Sequence, residues 1–336
     1  MRNTAEHFYD EVMGVMSSYE RDGKNLRQHL KDGFEKYLTR NQGKVPHNGV
    51  PFEEFLTWLP LIHEEKRDEK FYQMMRDIFA LFFWDYSRIK INIPEELNEH
   101  VMQSDAPKVI PVEILRRFPH WTQWISLNAL FSAQNGSNDQ AMVEGAFVSF
   151  LTEGNKNFLY CIVEYTIIDL VAGTRDNSAW VSFKLDLDQD FGLREDKTYA
   201  PVTSLNATSL EVLDNHRRII EMTQEHLIKS LLFVASMEPA DSSESKFSRP
   251  APRRKGRSYK LQTKGVSKEV TIGQEYLEII REFNETVNRE GGSRKAHIRC
   301  AHWHRYWTGA KAIQKLILKW IAPCIVSGTS EESNGK

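Results

Sequence analysis

Ala146-Phe147-Val148-Ser149-Phe150-Leu151, then Gly154-Asn155-Lys156-Asn157, then Phe158 through Ile167: this stretch decides the fold. Two apolar runs rich in aromatic and β-branched residues flank four turn-forming residues, the pattern of a β-hairpin. Working outward, Gln123 to Leu130 alternates upstream, and Asn135-Gly136-Ser137-Asn138-Asp139 supplies the turn. Trp180 to Asp188 alternates downstream. Four strands with short connections make an antiparallel meander, and a sheet of this size needs a cover. The cover is predicted at 208–237. It opens with the capping box Thr208-Ser209-Leu210-Glu211, sets Leu210, Leu213, Ile220, Leu227, Leu231 and Val234 along one face, and stops at Pro239.

Farther upstream, residues 4 to 40 carry a helical stripe of Phe8, Val12, Val15, Met16, Tyr19, Leu26, Leu30, Phe34, Tyr37 and Leu38, weakened around Gly23. A second stripe, from Phe71 through Ile78, Phe82 and Tyr86, reads as a bundle core in preference to a ligand slot. Downstream, the segment 241–268 is nearly free of apolar residues, and Lys246 to Lys264 holds eight Lys/Arg and no acid. Pro250, Pro252 and Gly256 speak against regular structure there. The segment is predicted to be a basic flexible linker, or an arm that touches RNA phosphates or the ribosome through Arg253, Arg254, Lys255 and Arg257. A further helix is expected from Gln274 to Val287.

The fold class that follows is α+β. A helical N-terminal region (1–105) precedes a core (106–240) of antiparallel sheet and long helix. The linker (241–268) leads to a C-terminal helix and strands (269–326) that complete the sheet, and 327–336 is expected to be a disordered tail.

The densest chemistry lies in those C-terminal strands. His297-Ile298-Arg299-Cys300-Ala301-His302-Trp303-His304-Arg305-Tyr306-Trp307-Thr308-Gly309 holds three of the 11 histidines and two of the 8 tryptophans. In an extended strand, His297, Arg299, Trp303, Arg305 and Trp307 face one way. Ile298, Cys300, His302, His304 and Tyr306 face the other. A second run, Ile313 to Ile321, is closed by Pro323 and pairs with it as a hairpin.

His302-x-His304 with Asp186 or Asp188 suggests a metal pair, but no third ligand has the spacing, so no metal and no cofactor are assigned. His302, His304 and Tyr306 are candidate acid/base groups of a metal-independent ribonuclease, because imidazole titrates near neutral pH. A recognition surface suits the composition better. His297, Arg299, His302, Trp303, His304, Arg305 and Tyr306, with Trp121 and Trp124 from the first strand, combine rigid aromatic area with fixed donors. Trp307 and Trp320 are assigned to the core. The balance favours a binding protein over an enzyme.

Whole-chain properties narrow the class further. A net charge of −2 leaves nucleic-acid contact to a local patch. Three widely spaced cysteines suggest a reducing compartment without a disulfide framework. There is no signal-peptide core and no apolar run of membrane-spanning length, so a cytoplasmic protein without membrane contact is expected.

The pattern His297-Ile298-Arg299-x-x-His302-Trp303-His304-x-Tyr306-Trp307-x-Gly309, followed by Lys319-Trp320-x-x-Pro323, resembles the C-terminus of a type V-A anti-CRISPR family. Pro111 to Trp124, Ser209 to Asp214 and Leu227 to Pro239 resemble family segments in the same order, so the likeness covers roughly 106–326. Ala296 stands where the family has proline, and Cys300-Ala301 where it has Arg-Gly. The resemblance implies a protein of a mobile genetic element that evades host defence in the bacterial cell by repressing production of the CRISPR effector nuclease. Its implied partner is the nascent N-terminal peptide of that nuclease, recognition of which during translation leads to degradation of the mRNA. A plasmid or phage ribonuclease using the same histidines is the alternative.

Overall fold

A computed structural model describes residues 5–6, 9–10, 20–21, 24–47, 49–59, 69–105, 107, 109–118, 120–132, 139–169, 174–189, 217–237, 251–262, 267–289, 296–308 and 315–327. The expected first half of the N-terminal helix, the 135–138 turn residues, the 208–211 capping box and nearly all of the C-terminal tail lie outside these residues.

Two short strands, Glu20–Arg21 (β1) and Lys24–Asn25 (β2), lead into helices Leu26–Arg40 (α1), Phe52–Leu56 (α2) and Glu69–Ser87 (α3). Strand Ile89–Asn92 (β3) and helices Glu95–Gln103 (α4) and Val112–Leu115 (α5) follow. The meander is Thr122–Ser132 (β4), Asp139–Glu153 (β5), Lys156–Asp169 (β6) and Thr174–Asp186 (β7), and the long helix is Arg217–Met237 (α6). Then come Arg253–Lys255 (β8), Ser258–Lys260 (β9), Lys268–Thr271 (β10) and helix Leu277–Arg289 (α7). The chain ends in Ala296–Arg299 (β11), His302–Thr308 (β12), Lys315–Ile321 (β13) and Cys324–Ser327 (β14).

The four expected meander strands form as read, antiparallel and in sequence, within a six-stranded sheet ordered β10-β3-β4-β5-β6-β7. Alternation gives the sheet two apolar faces. Ile125, Val148, Leu159, Cys161 and Phe183 point into one core, while Trp124, Phe147, Leu151, Tyr160 and Ile162 point into another. Helices α1, α2 and α3 cover the second face with an aromatic cluster in which Phe34, Phe79, Phe82 and Phe83 are fully buried. Helices α4, α5 and α6 cover the first. The result is three layers, helix on sheet on helix.

Local chemistry explains the close approaches. Asn25 caps α1 by accepting from the Gln28 amide at 3.0 Å. A Cβ on Gly33 would lie 2.2 Å from Trp58 Cγ, so glycine in mid-helix is what lets the α2 end pack there. Gly145 sits at the β5 bulge, where a Cβ would come within 2.3 Å of the Trp124 ring.

Three expectations take a different form. First, the sheet is mixed: β3 runs parallel to β4, and β10 runs parallel to β3. The strand that completes the sheet is therefore β10, from the end of the expected linker. It is short and polar, as edge strands commonly are, and pairs with a segment far away in sequence.

Second, the C-terminal strands form their own two-stranded ladders, β11 with β14 and β12 with β13. They pack across the outer side of α6. Trp320 stacks edge-on against Phe233 of α6, with ring centroids 5.5 Å apart, and against Tyr276 at 5.2 Å. The reason is legible in α6 itself. Leu227, Ile228, Leu231, Leu232, Phe233 and Val234 are all buried, so the helix is apolar on more than one side and needs a second cover.

Third, the basic segment is partly ordered. β8 and β9 pair as a hairpin, Arg253 opposite Lys260 and Lys255 opposite Ser258. Gly256, at φ +64°, makes the turn. Pro252 precedes the ladder and so takes no donor from it.

Candidate functional site

The ribbon over α6 carries most of the residues singled out by composition. β12 and β13 pair from His302 opposite Ile321 to Thr308 opposite Lys315. The two ladders meet at a break, Cys300-Ala301 on one strand against Ala322-Pro323 on the other. Pro323 has no N–H to give, so pairing cannot continue through it. Ala301 turns inward and is buried.

Leu318 and Trp320 anchor the inner face of the ribbon. Trp303 lies opposite Trp320 and packs half-buried against the same core. Arg305 donates from Nη2 to the carbonyl of Val109, tying β12 to the segment after α4. Asp105 bridges to His302 in parallel, and among the described residues this is the one backbone bridge on the outer edge of β12. Farther along β12 the side chains are exposed. Trp307 is 66 % exposed there, which corrects its assignment to the core; Trp320 is core as expected.

On the outer face, His304 and Tyr306 stack with centroids 4.4 Å apart, opposite Lys319 and Ile317. Arg299 Nη2 donates to His302 Nε2 at 2.9 Å, and the other ring nitrogen, Nδ1, donates to the Cys300 carbonyl at 3.2 Å. A guanidinium only donates and a carbonyl only accepts, so in this arrangement Nε2 accepts and Nδ1 donates. The backbone of His297 pairs with Val326 in the neighbouring ladder. The outer face thus presents the His304 and Tyr306 rings beside Lys319, while Arg305 and the exposed Trp307 indole lie on the opposite face of the same ladder.

Trp121 and Trp124 are elsewhere. They are 5 % and 2 % exposed in the aromatic core under α1 and α3, on the opposite side of the sheet from the ribbon. Trp124 packs on Phe147 at 4.8 Å and Trp121 on Phe83 at 5.8 Å. They correct the expectation that this strand lines the same site. Val109, and Lys319, which the sequence marked only as part of the C-terminal motif, join the site as well. Lys319 alternates with the core residues Leu318 and Trp320 and so had to face outward; nothing marked Val109.

Metal chemistry finds no support in the donor arrangement: among the described residues no group of three His, Cys, Asp or Glu side chains comes together. Asp188 instead accepts from the Asn157 amide and side chain and pairs with Arg116, while Asp186 accepts from the Asp188 amide. A separate polar cluster is enclosed beneath α3. Tyr160 donates to Asp77, and Gln73 donates to Tyr160 and to Ser182. Burial pushes the Asp77 carboxyl up to about 7, against the opposing pull of these hydrogen bonds and of Arg76.

The model of the Anti-CRISPR type V subtype A2 family, described as AcrVA2-like, matches residues 91–328. The chain belongs to this family. The matched region contains the meander, α6 and the whole ribbon. A solved structure, "Crystal structure of AcrVA2", is similar with a TM-score of 0.54 and 15 % identity, covering 96 % of this chain and 98 % of that one. At that identity the likeness is one of fold, and it extends to the N-terminal helices that the family model leaves out. No curated protein matches. The ribbon is the C-terminal part of the matched region, with Cys300-Ala301 at its break. Among the described residues no helix is long and apolar enough to cross a membrane.

Proposed function

We propose that this AcrVA2-like chain inhibits a type V-A CRISPR system by binding the N-terminal peptide of the effector nuclease as it is translated, with loss of the encoding mRNA as the result. The observation that supports this is the outer edge of β12. It is an extended strand bridged only by Asp105 among the described residues, with His304 and Tyr306 on one of its faces and the exposed Trp307 on the other. An extended peptide laid along such an edge gains main-chain hydrogen bonds, while neighbouring side chains select its sequence. Exposed aromatic rings supply anchor area at low entropic cost, and Arg299 and Lys319 supply donors. The site of action is the cytoplasm of the bacterial host, where the nuclease is made.

A pull-down from an extract translating the effector message tests this. Nascent effector chains should be enriched over unrelated nascent chains, and a Tyr306→Ala/Trp307→Ala double variant should lose the enrichment. Equal recovery of all nascent chains would overturn the proposal.

A further inference from the structure

A second surface stands on the opposite side of the sheet, where the β8–β9 hairpin is seated on α1. The seat is specific. The Tyr259 amide donates to Thr39 Oγ1 at 3.1 Å, and Lys260 pairs with Glu35 at 2.8 Å. The Tyr259 ring lies where a Cβ on Gly43 would fall, 2.5 Å away, and Leu261 is buried beneath the hairpin. Arg254 Nε donates to the Gly256 carbonyl at 3.1 Å and braces the tip. Basic side chains on this hairpin are thus held on a fixed platform.

Their charge is not neutralised locally. The nearby carboxylates are already engaged, Glu35 by Lys260 and Glu54 by Arg40 at 2.7 Å. Arg253, Arg254, Lys255 and Arg257 are exposed, and none makes an ion pair among the described residues. The neighbouring cleft on α1, about 390 Å³, is lined by Lys36 and Arg40 but also by Asp32 and Glu54, so the uncompensated positive charge is confined to the hairpin. On a chain of net charge −2, this is a concentrated positive field.

We infer that the β8–β9 hairpin binds the phosphate backbone of single-stranded RNA. Three of the four unpaired cations are arginines, whose planar fork matches phosphate oxygens in a way lysine does not. An acidic polypeptide would meet the same charge, and competition with polyglutamate separates the two. The inference is independent of peptide binding at the ribbon, since the two surfaces lie on opposite faces of the sheet.

The test uses the full chain and a fluorescein-labelled uridine 20-mer, with no ribosome and no peptide present. Anisotropy is read across a salt series for the parent chain and for the triple variant Arg254→Gln/Lys255→Gln/Arg257→Gln. A charge-matched control carries Lys156→Gln, Lys268→Gln and Arg281→Gln, and thermal melts confirm that all three proteins are folded. The hairpin variant is expected to bind at least tenfold more weakly at low salt. Its plot of log affinity against log salt should flatten by about 0.7 for each phosphate that is no longer neutralised, roughly two in all. The control should match the parent. Equal losses in both variants would overturn the inference, as would displacement of the RNA by polyglutamate at equal charge concentration, which would assign the surface to an acidic protein. Failure here leaves the pull-down result untouched, and failure of the pull-down leaves this one readable.

Discussion

Arg299 holds His302 through a hydrogen bond from Nη2 to Nε2, 2.9 Å long, and so occupies the one lone pair that imidazole could offer to a substrate. With Nδ1 committed to the Cys300 carbonyl, both ring nitrogens of His302 are engaged within the protein. Labelled mRNA incubated with the purified protein should therefore stay intact. His302→Ala and His304→Ala should not differ from the parent in that assay. Cleavage by the parent that either substitution abolishes would instead make this site a ribonuclease.

Tyr306 and Trp307 should behave as binding residues. Both are exposed, at 39 % and 66 %, so truncation removes little packing. Tyr306→Ala or Trp307→Ala should leave the melting temperature within a degree or two. Each should weaken binding of the effector's N-terminal peptide by about 2 kcal/mol, roughly thirtyfold, as measured by calorimetry.

Trp320 should behave in the opposite way. It is fully buried between Phe233 and Tyr276, and Trp320→Ala opens a cavity between ribbon and helix. The expected cost is about 3–5 kcal/mol of stability, read by denaturant unfolding. A loss below about 1 kcal/mol would mean that the ribbon is not docked on α6.

Two buried groups should shape the dependence of stability on pH. Asp77 has its carboxyl raised from 3.8 to about 7 by burial, so the folded state holds its proton longer than the unfolded state. Its contribution is complete below about pH 4 and is lost as pH rises through 7. His226 is lowered from 6.5 to about 4 by burial and then by Lys229, so its contribution is present above 6.5 and is lost as pH falls toward 4. Asp77→Asn should flatten the decline between pH 4 and 7, and His226→Gln should flatten the rise over the overlapping range. Urea midpoints measured from pH 4 to 8 separate the two. A slope unchanged by Asp77→Asn would show that the carboxyl is ionised in the folded protein throughout.

The meander was legible because a period of two is strong over runs as long as Phe158 to Ile167, and the hairpin turn fixes its direction. β3 and β10 were not. Each has four residues, β10 reads Lys268-Glu269-Val270-Thr271, and parallel pairing between distant segments leaves no local signal. The His/Trp strand was legible as a strand, but whether its tryptophans meet core or solvent depends on what packs beneath it. Trp303 and Trp307 share a face of the ladder and differ in just that respect. Trp121 and Trp124 show the converse. Alternation separates Trp124 from Ile125, yet nothing local says which of the two faces the ribbon. The basic hairpin was hidden by prolines that precede the ladder and by a glycine that makes its turn.

β3 carries a consequence for how the molecule comes apart. The family match begins at residue 91, inside this four-residue strand, which is paired on both sides, with β4 and with β10. A fragment cut at that point would split the strand and strip the cover from Trp124, Phe147, Leu151, Tyr160 and Ile162. The N-terminal helices are therefore one side of a shared interior and not an appended module. They and the family region share that core, so one unfolding transition seen alike by every probe is the expected outcome.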